Sequence, residues 1–131
     1  MRSLPMIATP AITVALVEDD ESCRRATVRL FRAHGMMAQA FDSAEAFLNG
    51  RQALRPDCLV LDVQLGGMSG IALQSHLIQE GSTLPIVFLT ALEGRAYQGM
   101  AVCNGCDAFL RKTEPAETLL AAIRRAVGRL P

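Results

Sequence analysis

The sequence predicts an α/β fold, a doubly wound sandwich in which a five-stranded parallel sheet carries helices on both faces. Two observations lead there. Five short apolar runs alternate with five amphipathic stretches, and alternation of that kind builds βαβ units with right-handed crossovers. The first, third and fourth runs are apolar almost without interruption, as central parallel strands are when both faces are covered. A chain of 131 residues is large enough for one hydrophobic core.

The runs are ITVALV (12–17), MMAQAF (36–41), CLVLD (58–62), PIVFLT (85–90) and DAFL (107–110). After the first, Cys23, Ala26, Thr27, Leu30, Phe31 and His34 recur at steps of three and four and share one helix face. Gly35 stops that helix. Asp42 with Glu45 resembles a capping box opening the second helix, which turns Ala44, Phe47 and Leu48 inward. Ser69 or Gly70 starts the third, with Ile71, Leu73, Leu77 and Ile78 inward and Gly81 at its end. The fourth, around Arg95 to Asn104, is the weakest, because Gly94 and Gly99 lower its propensity. Pro115 suits the first turn of the last helix, where Leu119, Leu120, Ile123 and Val127 form a stripe.

Thirteen basic and thirteen acidic residues cancel, so no overall charge draws the chain to nucleic acid or an anionic membrane. No segment approaches the ~18 apolar residues of a membrane span, and Pro5 and Pro10 interrupt any signal-peptide core. Residues 1–11 read as a flexible leader and 12–131 as the folded domain. With no export signal, Cys23, Cys58, Cys103 and Cys106 are expected as reduced thiols, and a cytoplasmic location follows. The pair Cys103 and Cys106 is expected to pack as small side chains rather than bind metal or cycle redox state. His34 and His76 read as structural or surface residues.

Ligand sites of open α/β sheets lie beyond the carboxyl ends of the strands. Here the first strand runs into Glu18, Asp19 and Asp20, the third ends on Asp62, the fourth on Thr90, and the fifth runs into Lys112. Carboxylates this close repel one another unless a cation joins them. Hard oxygen ligands with no His or Cys beside them suit Mg²⁺. A divalent cation, an isolated carboxylate and a lysine are what covalent attachment of a phosphoryl group requires. Asp20 reads better as a helix cap.

VALVEDD, CLVLDVQLGGMSG, VFLTA and FLRK, in this order on a five-fold βα pattern, resemble the receiver domain of two-component response regulators over residues 12–129. The resemblance implies the flavodoxin-like strand order 2-1-3-4-5. It implies that Asp62 accepts phosphate from a histidine kinase or histidine phosphotransfer protein. Mg²⁺ would be held by Glu18, Asp19, Asp62 and the backbone carbonyl of Gln64. Thr90, the amide of Ala91 and Lys112 match positions that stabilise the phosphoryl group. Thr90 and Phe109 match switch positions, which report phosphorylation on the face built from the fourth helix, fifth strand and last helix. Gln64 and Leu92 match positions that tune phosphoryl lifetime.

Three features depart from the family pattern. Gly66, followed by Gly67, replaces a usual proline and predicts a more mobile loop with looser metal geometry. Thr113 follows Lys112 where a cis proline is usual, so a trans peptide is expected. Cys103 and Cys106 occupy a turn that commonly holds small residues. With no output segment after Pro131, the expected protein is a stand-alone receiver, a phosphoacceptor and not an enzyme, signalling by contact with an unknown downstream protein. The alternatives are a degenerate receiver acting as a phosphorylation-independent docking module, or a receiver fragment of a longer regulator. A flavin-binding protein is disfavoured, because the acidic EDDES loop would repel flavin phosphate.

Overall fold

The computed structural model describes residues 11–91 and 105–128. Five strands, β1 (Thr13–Val17), β2 (Met37–Phe41), β3 (Cys58–Leu61), β4 (Ile86–Thr90) and β5 (Ala108–Arg111), form one sheet. All pairings are parallel, in the order β2-β1-β3-β4-β5 that the family resemblance implies. The helices are α1 (Glu21–Ala33), α2 (Ala44–Leu54), α3 (Gly70–Gln79) and a C-terminal α4 (Ala116–Gly128). The leader (apart from Ala11), the helix expected around Arg95 to Asn104, Leu92 and Cys103 lie outside the described residues.

Strand alternation divides the core into two layers. Ala15, Val17, Leu59, Leu61 and Phe88 face α2 and α3, where Phe47, Ile71, Leu73 and Leu77 meet them. Val14, Leu16, Cys58, Val60 and Val87 face α1 and α4, against Phe31, Leu119, Leu120 and Ile123. Asp57 and Asp107 fasten the strand entries, accepting from the Thr13 amide at 2.8 Å and the Ile86 amide at 3.0 Å.

Several local expectations change. The N-cap of α2 is Ser43, which accepts from the Ala46 amide at 3.0 Å, so Asp42 and Glu45 form no capping box. Ser43 is one residue nearer the helix and its short hydroxyl reaches the third amide. On α1, Ala26 and His34 are exposed while Val28 is half-buried. The helix lies over the edge of the sheet, so only a narrow stripe centred on Thr27 and Phe31 is covered. On α3, Ile78 is 45% exposed, because Gln74 takes the inward position between Ile71 and Leu77. Ser69 caps α3 through the Ala72 amide, and Gly35 and Gly81 follow their helices at positive φ, as expected. No described peptide bond is cis, so Lys112–Thr113 is trans, as threonine there predicts.

Candidate functional site

The carboxyl ends of β1, β3, β4 and β5 deliver Glu18, Asp62, Thr90 and Lys112 to one point. Register sets the convergence: Val17, Leu61 and Phe88 lie side by side, so Glu18 and Asp62 leave the sheet at one level, with Thr90 one residue and Lys112 two residues further along their strands. The Asp62 amide donates to the Val17 carbonyl at 3.2 Å, and the Lys112 amide to Thr90 at 2.8 Å.

Asp62 is 6% exposed and both its oxygens are engaged. Oδ1 accepts from the Gln64 amide at 2.9 Å and from Thr90 Oγ1 at 3.2 Å. Oδ2 lies 2.8 Å from Lys112 Nζ, which also reaches Glu18 Oε1 at 2.5 Å. Glu18 is 2% exposed, and its other oxygen accepts from the Asp20 amide at 3.1 Å. Burial works against the charge on Lys112, but the hydrogen bonds it donates to Asp62 and Glu18 outweigh it and raise its pKa above the usual lysine value. Lys112 is the single lysine of the chain; the other basic residues are all arginine.

Ligand atoms of Glu18, Asp19 and Asp62 lie within 4.8 Å of one another, with Asp19 exposed at the mouth. Three carboxylates against one ammonium leave two negative charges, and the donors are all hard oxygens. That set could hold a hard divalent cation, with Glu18, Asp19 and Asp62 each offering one ligand oxygen. Asp20 is the N-cap of α1, accepting from the Cys23 amide at 2.8 Å, so it serves the helix as expected. Arg24 bends back to the rim, where Nη1 donates to the Glu18 carbonyl at 3.0 Å. The Cys23 thiol is pushed up by burial and by its hydrogen bond to Glu18.

Gln64 and Ala91 are exposed at the rim. Phe109 is half-buried, its ring tilted against Phe88 at a centroid separation of 5.6 Å. Two contributors were missed in the sequence. A β-carbon on Gly70 would stand 2.0 Å from the Asp62 carbonyl oxygen, so only glycine lets α3 begin there. Glu45 Oε2 accepts from the Met68 amide at 3.0 Å, reaching the loop after Asp62 from another helix. Neither carries a signal in the sequence, since each depends on which segments meet in space.

The chain matches the family model for the response regulator receiver domain over residues 14–124. It is 38% identical over 122 residues to nodulation protein W of Bradyrhizobium diazoefficiens, covering 93% of this chain and 53% of that protein. It is 35% identical to the response regulator protein TmoT of Ectopseudomonas mendocina, covering 90% and 54%. The chain thus spans about half the length of these curated relatives. Among solved structures, FixJ-N superposes with a TM-score of 0.86 at 27% identity, covering 94% of this chain and 98% of that one. The response regulator StyR gives 0.77 at 36% identity, covering 91% and 60%. A family match across most of the chain, on a fold whose strand ends gather these acids and this lysine, makes the protein a member of the response regulator receiver domain family.

Proposed function

We propose that this domain accepts a phosphoryl group on Asp62 from a phosphohistidine of a histidine kinase or phosphotransfer protein, in a Mg²⁺-dependent reaction. The observation that carries the reading is the division of labour at Asp62. Lys112 holds Oδ2, while Gln64 and Thr90 hold Oδ1, so the carboxyl group is fixed and aimed. In the reaction a carboxylate oxygen forms a bond to phosphorus as the phosphorus–nitrogen bond breaks. The imidazole leaves with that electron pair and takes up a proton. Lys112 offsets charge on the transferring group, and the Thr90 hydroxyl is within reach of the new phosphoryl oxygens. Glu18, Asp19 and Asp62 would hold Mg²⁺, with the Gln64 carbonyl as a further ligand, and the bound cation supplies charge neutralisation. The domain assists its own phosphorylation and dephosphorylation and is not an enzyme acting on a separate substrate.

The phosphorylated form signals by protein–protein contact, with Thr90 and Phe109 as switch residues, on the face that includes β5 and α4. The location is cytoplasmic. No described helix is long and apolar enough to cross a membrane. Incubation with Mg²⁺ and acetyl phosphate, followed by intact mass measurement, tests the reading. A gain of one phosphoryl group is expected, lost in Asp62→Asn. No gain from acetyl phosphate or any histidine kinase would leave a docking module.

A further inference from the structure

The segment joining Asp62 to α3 contains Gly66 and Gly67, whose backbone freedom would leave it loose unless it were fastened. Its near end is fastened at the site itself by the Gln64 amide on Asp62 Oδ1, 2.9 Å away. Its far end is fixed where the Gly70 amide donates to the Val63 carbonyl at 2.9 Å. Leu65 is sunk into the core layer under α2 and α3. Between Leu65 and Ser69, the polar hold comes from Glu45 in the first turn of α2, whose Oε2 accepts from the Met68 amide. Gly67 adopts φ 77°, and a β-carbon there would stand 2.8 Å from the same oxygen, so the loop backbone lies directly against the carboxylate. The Met68 amide holds the Glu45 carboxyl below the usual carboxylate range, so it is ionised at neutral pH and accepts as a charged group.

We propose that Glu45 is a positioning residue for the metal and phosphoryl site. By tethering Met68 it restricts the two-glycine segment, so that Gln64 keeps its amide on Asp62 and its carbonyl available to a divalent cation. The proposal rests on the phosphoacceptor reading above. Glu45 touches neither Asp62 nor the other carboxylates; it acts through the loop. Removing the tether leaves every ligand in place but returns freedom to the segment that carries one of them. The effect therefore falls on cation affinity more than on the acceptor's reactivity once the cation is bound.

The test compares Glu45→Ala with Glu45→Gln, whose amide oxygen still accepts from Met68. Amide hydrogen exchange on the metal-free protein is expected to speed up about tenfold at Gln64 and Met68 in Glu45→Ala, with α3 and the sheet unchanged. Calorimetric titration with Mg²⁺ should show binding weakened about tenfold, the lower end of what loss of an outer-shell partner costs a metal site. Acetyl phosphate labelling should slow at limiting Mg²⁺ and recover at saturating Mg²⁺. Glu45→Gln should stay within about twofold of the parent on all three readouts.

Unchanged exchange and Mg²⁺ affinity in Glu45→Ala would overturn the proposal, as would a Glu45→Gln variant as impaired as Glu45→Ala. Faster exchange across the whole domain would also overturn it, because that pattern marks general destabilisation. A parent protein that neither binds Mg²⁺ nor gains a phosphoryl group would fell the phosphoacceptor reading itself. A parent that does both, matched by Glu45→Ala, would fell only the tether.

Discussion

At the scale of single residues, the site depends as much on an absent side chain as on the charged ones. Gly70 begins α3 with its Cα pressed on the backbone of Asp62, where an added β-carbon would also lie 2.9 Å from the Asp62 carbonyl carbon. Backbone atoms give way less readily than side-chain tips, so Gly70→Ala must displace either α3 or Asp62. A loss of about 3 kcal/mol in urea unfolding is expected, with a lower rate of phosphoryl gain. A stability change below about 1 kcal/mol would show that the helix start yields easily. Glu18, Asp62 and Lys112 were legible in the sequence because charges at the ends of apolar runs are costly without a partner. Gly70 was legible only as a helix start. Glu45 was read as half of a capping box, because its real partner, Met68, lies 23 residues away.

At the scale of elements, the division of each strand between two core layers is what aims its last residue. A shift of one residue in β3 would turn Leu59 and Leu61 to the wrong layer and carry Asp62 away from Lys112. Such a shift would also move Cys58, which is fully buried among α1- and α4-facing residues. Burial first, and then the charges of Asp107 and Asp57, push its thiol up to about 12. A raised value in the folded state means the fold binds that proton more tightly than the unfolded chain does. The stability it contributes is complete below the ordinary value of 9.0 and declines as pH rises toward about 12. Urea midpoints should therefore fall between these pH values, and Cys58→Ala should flatten that fall; an equally steep fall in the variant would contradict the assignment. Strands were the most legible elements, since apolar runs name themselves. Helix faces were less so: Gln74 is polar yet 1% exposed, and no periodicity argument chooses it over Ile78.

At the scale of the whole molecule, a chain of zero formal net charge concentrates two uncompensated negative charges at one end of its sheet. Folding assembles that repulsion, and the unfolded chain disperses it. A cation that binds only the folded form stabilises it by mass action, by about 2.7 kcal/mol at one hundred times its dissociation constant. The expected outcome is a higher urea midpoint with Mg²⁺ than with a chelator, and a smaller difference in Asp62→Asn. Equal midpoints with and without Mg²⁺ would count against a metal at this site. The parallel α/β class was legible from the alternation of apolar runs and amphipathic stretches, while the strand order was an implication of the family resemblance. The geometry that makes the site was not legible, because it is a property of register and of contacts between distant segments. One of those contacts has a chemical consequence of its own. The chain's single lysine side chain is clamped between two carboxylates and kept as an ammonium, which has no lone pair to offer. An activated acyl phosphate meeting this domain therefore finds its one ε-amine unreactive toward acyl transfer, and under the proposed function the carboxylate beside it is the nucleophile that takes the phosphorus.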